Sequence, residues 1–504
     1  MAAFKEAREA EIHVLMVAFS AQGHINPMLR LGNRLTSKGL HVTLATTDVG
    51  RNRMLKSNPS TTTASNDTNI RLEFFSDGLS DDFDRWNHID HFLDSIGKFG
   101  PTNLSKLIND LSGDGHRPKF SCIISNPFVP WVVDVAAQHK IPCALLWIQP
   151  SALYALYYRF FHHLNSFPTQ SDPNPTVYLP GLPPLQTADL PTFVLPSNTI
   201  TGFPKLLSEL FKSHMKKFKW ILGNSFYELE KEVVDSMAQL CPIRPVGPLV
   251  PSTLVGLSEG QGGDNDIGVD MWKPEEKCIE WLDRRSVSSV IYVSFGSVTV
   301  LSEKQMENIA MALKNSDRPF LWVLKSKDNA VPVGLPAGFL EETEDRGLVV
   351  SWCTQTKVLA HPAVACFMSH CGWNSTLETI AAGVPMIACP QWTDQPSNAK
   401  LIVDVFEMGV RVEPDPDGMV SKEEVERCIV EITKGPKSEE MKRKGVQWKE
   451  AAKNAVAEHG SSDQNIQIFV DEIVGMHSLA PSMAPHSMTM TTSEESPMLE
   501  GAKG

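Results

Sequence analysis

Apolar residues fall in short blocks along the chain, and the spacing inside each block decides which element it predicts. Ile12 to Phe19 is almost continuously apolar, as a parallel strand covered on both faces requires. The polar run Ser20 to Ile25 follows, and Asn26-Pro27 reads as a helix N-cap with proline at the first helical position. Met28, Leu31 and Leu35, three and four apart, give one apolar helix face that ends near Gly39. His41 to Thr47 returns as a strand, which completes a βαβ unit. A second unit reads Phe120 to Ser125 as strand, Pro130 to Lys140 as helix and Ile141 to Ile148 as strand. The uncharged stretch Ile141 to Tyr158 has the length of a membrane span, but Gln149-Pro150-Ser151 cuts it. It reads as a buried strand, a break and an aromatic helix face. Pro168 to Pro204 is proline-rich and reads as a long surface connection.

Glycine-rich Ser258 to Asp270 is the clearest linker. Beyond it, strands are expected at Val290 to Ser294, Phe320 to Leu324, Leu348 to Trp352, Ala365 to Ser369 and Pro385 to Cys389, with helices between them. Ser302-x-x-Gln305 and Ser421-x-x-Glu424 are capping boxes, the first opening a helix to about Asn315. A long helical region runs to about Met476. The tail from His477 is too poor in branched apolar residues to fold alone. The pattern predicts an α/β protein of two doubly wound domains, residues 1–250 and 271–476, with a linker at 251–270 and a disordered tail at 477–504.

Composition narrows the function. Of 504 residues, 42% are apolar and 21% charged, which supports a sizeable core. Lys and Arg number 46 against 59 Asp and Glu, a net charge of −13 that argues against nucleic acid or an anionic membrane as partner. Nine cysteines without a Cys-x-x-Cys pair suit reduced thiols in the cytoplasm better than a disulfide framework. The first apolar run follows an acidic segment rather than a basic one, so no signal peptide is expected.

Open α/β sheets bind ligands beyond the carboxyl ends of their strands. The loop His370-Cys371-Gly372-Trp373-Asn374-Ser375 is such a place, ahead of a helix expected near Thr376. A helix N-terminus offers unpaired N–H groups and a positive dipole end to a phosphate. Ser375-x-x-Glu378 is also a capping box, which ordinarily binds nothing. The wider stretch decides between the two. Trp352 to Gln395, WCTQTKVLAHPAVACFMSHCGWNSTLETIAAGVPMIACPQWTDQ, resembles the nucleotide-sugar signature box of the plant family 1 UDP-glycosyltransferases, and the likeness extends over most of residues 10 to 475.

The resemblance implies a GT-B fold and an inverting UDP-glucose-dependent glucosyltransferase. Trp352 would stack on uracil, Gln355 and Glu378 would meet the ribose, and His370, Asn374, Ser375 and Ser297 would hold the diphosphate. Trp373, Asp394 and Gln395 would contact the sugar, with Gln at the last position the form associated with glucose. No metal and no cofactor are implied. His24, after Gln22-Gly23 and before Asn26-Pro27, would be the general base.

The usual partner of that histidine in the family is an aspartate, whereas this chain has Asn126 in Asn126-Pro127-Phe128-Val129-Pro130-Trp131. Asparagine can orient an imidazole but supplies no charge to an imidazolium. A phenol, titrating near about 10, needs a base; a carboxylic acid, near about 4.3, arrives ionised. A second carboxylate about 4 Å from that anion would cost roughly 4 kcal/mol at an effective dielectric of about 20. Asn126 removes that repulsion. Asn-Pro-Phe, with Asp189-Leu190-Pro191-Thr192-Phe193 downstream, resembles the branch that makes glucose esters of hydroxycinnamic and hydroxybenzoic acids. Members of that neighbourhood also glucosylate phenolic hydroxyls, and C-glycosylating relatives exist in the family, so an O- or C-glucosyltransferase of polyphenols is the alternative.

An aromatic acceptor would lie among Phe75, Phe128, Trp147, Tyr154 and Phe193, all near predicted strand ends or helix starts. A monomer is expected. Three rivals differ in class. A metal-dependent transferase would use Asp82-Phe83-Asp84 or Asp415-Pro416-Asp417. A nicotinamide dehydrogenase would need a Gly-x-Gly-x-x-Gly run after a strand, and none occurs. A catalytically silent nucleotide-sugar-binding protein would bind UDP-glucose without transfer. His88 and His91 lack an evident third metal ligand.

Overall fold

The computed structural model describes residues 12–57, 70–113, 120–256, 275, 277–325 and 334–479. Seven parallel strands form the first sheet: β1 (His13–Val17), β2 (His41–Thr47), β3 (Ile70–Phe75), β4 (Phe120–Ser125), β5 (Cys143–Trp147), β6 (Trp220–Gly223) and β7 (Arg244–Pro245). Their spatial order is β3-β2-β1-β4-β5-β6-β7. Six more form the second: β8 (Val290–Ser294), β9 (Phe320–Val323), β10 (Gly347–Val350), β11 (Val364–Ser369), β12 (Met386–Ala388) and β13 (Gly409–Arg411). These run β10-β9-β8-β11-β12-β13, again all parallel. Central strands such as β1, β5, β8 and β11 are buried from end to end except at His13, which is why their sequences are unbroken apolar runs. In each sheet the order reverses once, between β1 and β4 and between β8 and β11. Those two reversal points are where crevices open.

Three expectations change. The first helix spans Gln22–Ser37, so Pro27 lies inside it rather than at its start, and His24 stands in its first turn. The proline-rich 168–204 stretch is an interface more than a surface connection, since Leu179, Leu185, Leu190, Phe193 and Val194 are all buried. The final helix, Ser461–Leu479, leaves the second domain and covers the first sheet. Ile466, Phe469, Val470 and Ile473 join the core of Val14, Met16, Ile124 and Leu146, because the solvent side of β1 and β4 otherwise lacks an apolar cover there. Asn465 Nδ2 donates to Pro245 O at 2.7 Å, and Arg244 pairs with Glu472 at 3.1 Å. The domain division at 271–476 is therefore corrected: the chain beyond 460 belongs to the first unit.

The expected linker lies outside the described residues from 257 to 270, while Leu254 and Val255 before it are packed in the core. The expected disordered tail lies outside them from 480 onward. Among the described residues no helix is long and apolar enough to cross a membrane. None of the nine cysteines forms a disulfide.

Candidate active site

At the first reversal point β1 ends beside β4, Val17 opposite Ser125. Asn126, the next residue after β4, donates its backbone N–H to Val17 O at 3.1 Å and is fully buried. Its Oδ1 accepts from the Phe128 backbone N–H at 3.1 Å. That donor fixes which end of the amide faces inward, because a flipped amide would set NH2 against N–H. His24 Nδ1 lies 3.0 Å from the same oxygen. An acceptor oxygen demands a donor, so Nδ1 carries the ring proton and Nε2 keeps its lone pair. Phe19 and Phe128 pack 5.1 and 4.6 Å from the imidazole. Burial pushes His24 down to about 4, against the opposing pull of the Asn126 hydrogen bond. The imidazole is neutral at physiological pH.

At the second reversal point Ser294 and Ser369 end β8 and β11 side by side. His370 stands in a slot between two glycines. A Cβ at Gly296, where φ is +73°, would sit 2.7 Å from its Cε1, and one at Gly372 would sit 2.5 Å from its Nε2. Burial, and then the charge of Lys325, lowers His370 to about 4. The following helix is Trp373–Ala382 with Gly372 as N-cap, so Ser375 lies inside the first turn and the capping-box reading fails. The N–H groups of residues 373–375 then have no acceptor within the helix.

One turn on, Gln355 Nε2 donates to Ser375 Oγ at 2.9 Å and to Glu378 Oε2 at 2.8 Å. Arg30, from the helix that carries His24, crosses the cleft to within 3.6 Å of Glu378 Oε1. Trp352, Gln355, His370, Asn374, Ser375, Glu378 and Ser297 line one cavity of about 290 Å³. A second, of about 230 Å³, holds His24, Phe128, Phe193, Asp394 and Gln395. Gly23, Ser297, His370, Trp373 and Asn374 line both.

Some expected roles move. The Trp373 indole N–H donates to Asn224 O at 2.8 Å, which leaves its backbone for any sugar. Asp394 is buried, which raises its pKa, while Thr393 Oγ1 and Asn398 Nδ2 donate to its carboxylate. Gln395 Oε1 accepts from the Gln391 and Trp392 N–H groups, so its amide NH2 is what it can offer.

The acceptor expectations divide. Phe128 and Phe193 line the second cavity; Phe75, Trp147 and Tyr154 do not. Phe75 packs edge-on to Trp131 at 6.3 Å. Trp147 is fully buried and donates to Pro150 O, and the buried Tyr154 hydroxyl donates to Cys241 O. Just past the strand, Ile148 and Gln149 face the cavity instead, joined by Phe19, Trp86 and Phe203. Arg30, Tyr292 and Trp86 carried no sequence signal.

Both domains also clasp across residues 188–192. Thr192 N donates to Thr393 O at 3.0 Å, Ser397 Oγ to Asp189 O at 2.7 Å, and Arg411 pairs with Asp189 at 2.7 Å. Neither Asp-x-Asp triplet lines either cavity, and His88 and His91 flank the Phe83 ring at 5.6 and 5.3 Å. Among the described residues no three His, Cys, Asp or Glu side chains gather as a metal site.

The signature described as UDP-glucoronosyl and UDP-glucosyl transferase matches residues 265–445. UDP-glycosyltransferase 84B1 of Arabidopsis thaliana is 45% identical over 92% of this chain and 98% of its own. Limonoid UDP-glucosyltransferase of Citrus unshiu is 44% identical over 92% and 90%. Gallate 1-beta-glucosyltransferase 84A24 of Punica granatum is 42% identical over 92% and 89%. The crystal structure of Os79 from O. sativa in complex with UDP superposes with a TM-score of 0.81 at 32% identity, covering 91% of this chain and 100% of that one. Two parallel-sheet domains that face each other across paired cavities, and relatives of this identity over nearly the whole length, place the chain in the UDP-glycosyltransferase family, with the GT-B fold.

Proposed function

We propose that the protein transfers glucose from UDP-glucose to the carboxylate of an aromatic acid, with inversion, to give a β-glucose ester. The observation that carries this reading is the neutral His24–Asn126 pair, whose imidazole lines a cavity walled in part by Phe19, Phe128, Phe193 and Phe203. That pair carries no negative charge to set against an anion, and a carboxylate has no proton to surrender. One carboxylate oxygen attacks the anomeric carbon from the face opposite UDP. The C–O bond to it forms as the bond to the β-phosphate oxygen breaks, and the electron pair leaves with UDP. The Phe19, Phe128 and Phe193 walls orient the acceptor ring, and the His24 Nε2 lone pair is left to accept from a hydroxyl on that ring.

UDP fits the larger cavity. Trp352 offers a ring face to uracil, and Gln355 and Glu378 offer an amide and a carboxylate to the ribose. The free N–H groups of 373–375 and the neutral His370 stabilise charge on the leaving diphosphate, so the reaction needs no metal ion. Asp394 and the Gln395 amide lie where the glucose would reach the second cavity. The gallate-glucosylating relative at 42% identity supports the acid as acceptor.

A second reading, O-glucosylation of a phenol, is favoured by the lone pair on Nε2, which can take a phenolic proton. The purified protein with UDP-glucose and a panel of gallate, cinnamate and polyphenols, read by mass spectrometry before and after mild alkali, separates the two. Alkali-labile glucosides are expected, at rates unchanged by EDTA. Alkali-stable products alone would favour the phenol or a C-glucoside, and binding of UDP-glucose without transfer would leave a silent sensor. Nine cysteines that form no disulfide support a cytoplasmic location. A monomer is expected by gel filtration.

A further inference from the structure

Pro27 is the sixth residue of the helix Gln22–Ser37, deep enough that its missing N–H removes a helical hydrogen bond. The carbonyl left without that partner is four residues back, at Gly23. A proline ring also presses on that carbonyl and tilts it outward. Gly23 O does not stay unsatisfied: Asn374 Nδ2, from the second residue of the helix Trp373–Ala382, donates to it at 2.7 Å. A Cβ at Gly23 would lie 3.2 Å from that nitrogen, so glycine leaves the approach open.

The bond sits at a particular place. Gly23 and Asn374 both line the wall shared by the two cavities. Gly23 is the residue before His24, whose ring is already fixed by Asn126. Asn374 lies in the turn whose free N–H groups face the larger cavity. A single hydrogen bond thus joins the backbone beside the imidazole to the helix end that faces the donor.

We propose that Pro27 is a positioning residue for glucosyl transfer: by withholding an N–H it reserves the Gly23 carbonyl for Asn374, and this bond sets His24 against the donor helix. The inference rests on the transfer reading above for its kinetic consequence, though not for the bond itself. In Pro27→Ala the new N–H at 27 competes for Gly23 O inside its own helix. The helix is not weakened, since alanine is the best helix former. What is lost is the register between the two domains at the shared wall.

The test is a double-mutant cycle on the full chain, with UDP-glucose and cinnamate as substrates. Pro27→Ala should lower kcat about fivefold, the equivalent of one neutral hydrogen bond of about 1 kcal/mol. KM for UDP-glucose should move less than about twofold and Tm should hold or rise, a split that general loosening would not produce. In an Asn374→Ala background the same change should alter kcat by less than about 1.5-fold, because the partner is gone. An equal effect in both backgrounds would overturn the proposal. Amide exchange of peptides covering 370–377, read by mass spectrometry without substrate, should quicken in Pro27→Ala. Unchanged exchange would overturn it as well. If wild-type protein transfers glucose to no acid, the functional reading fails, while the exchange comparison still decides the bond.

Discussion

Two helices begin just past buried parallel strands, Ser151–Phe161 after β5 in the first domain and Trp373–Ala382 after β11 in the second, and their N-termini are treated in opposite ways. At the first, Glu230 is buried and places Oε2 on the Ser151 N–H and Oε1 on the Ala152 N–H, both at 2.8 Å. The helix end is filled by the protein's own carboxylate. At the second, the N-cap is Gly372, no side chain caps the turn, and the free N–H groups face a cavity. A helix terminus carries about half a positive elementary charge, so each attracts an anion. One is satisfied in the folding of the chain and the other is left for a ligand. The difference is a matter of one residue in the neighbouring element, not of the helix itself.

The sharpest way to break that comparison is to make the second terminus resemble the first. Ser375→Glu puts a carboxylate at the third helical position, where it reaches back to its own N-cap. Like charges at about 4 Å cost roughly 4 kcal/mol at an effective dielectric of about 20. UDP affinity should fall at least about 100-fold, with Tm unchanged or raised, as read by calorimetric titration. Retained affinity would mean that the diphosphate does not rest on this helix end.

Emptying the first terminus is the converse. Glu230→Gln keeps one acceptor oxygen but sets an NH2 group against the other buried N–H. A lost charged hydrogen bond at a buried site costs about 2–3 kcal/mol. Denaturant unfolding should show that loss, while turnover per folded molecule stays within about twofold. A large loss of turnover with full stability would tie this helix to the chemistry and end the contrast.

The two termini also differ in how they could be read from sequence. Ser375 and its neighbours belong to a dense run of Trp, His, Gly and Gln whose resemblance to a known box is local. Glu230 lies in another helix, and its meeting with Ser151 is a tertiary event that no local pattern announces. The same division runs through the fold. β1, β4, β5, β8 and β11 were legible because a strand buried on both faces must be apolar throughout. β13, only three residues long, offers no pattern to detect. Asn26-Pro27 points to the wrong helix start because proline favours the first turn, whereas here the carbonyl that Pro27 leaves unpaired is satisfied from the other domain by Asn374. Trp147 and Tyr154 were misplaced because burial does not reveal which side of the sheet a side chain takes. Which sheet the helix Ser461–Leu479 would cover depended on where the chain crossed, and its amphipathic pattern is silent on that.

A smaller effect tests the cation on the open terminus's side of the cleft. Arg30 approaches Glu378 from the first domain, at 3.6 Å. Among the described residues of the larger cavity it is the one Lys or Arg, so it holds that carboxylate toward the ribose site. Arg30→Gln should raise KM for UDP-glucose about fivefold and change kcat less than about twofold, a partly exposed ion pair being worth about 1 kcal/mol. A kcat effect larger than the KM effect would move Arg30 from holding the donor to aligning the domains.

The smallest expected effect is a flat line, and it sharpens what fills the open terminus. His24 and His370 are both pushed down to about 4 by burial. In the unfolded chain each titrates near about 6.5. As pH falls through that interval the unfolded state takes up protons that the folded state refuses. The stability these two groups contribute is therefore complete above about pH 6.5 and is lost progressively toward about pH 4. Between pH 6 and 8 neither changes charge in the folded protein, and a carboxylic acid acceptor does not either. KM for UDP-glucose and kcat for cinnamate should each vary less than about twofold across that range. A tenfold tightening of the donor between pH 8 and 6 would mean that His370 gains its proton near neutrality. The second terminus would then hold its anion by a full positive charge, and the likeness to the first, where the dipole and two N–H groups suffice, would fail.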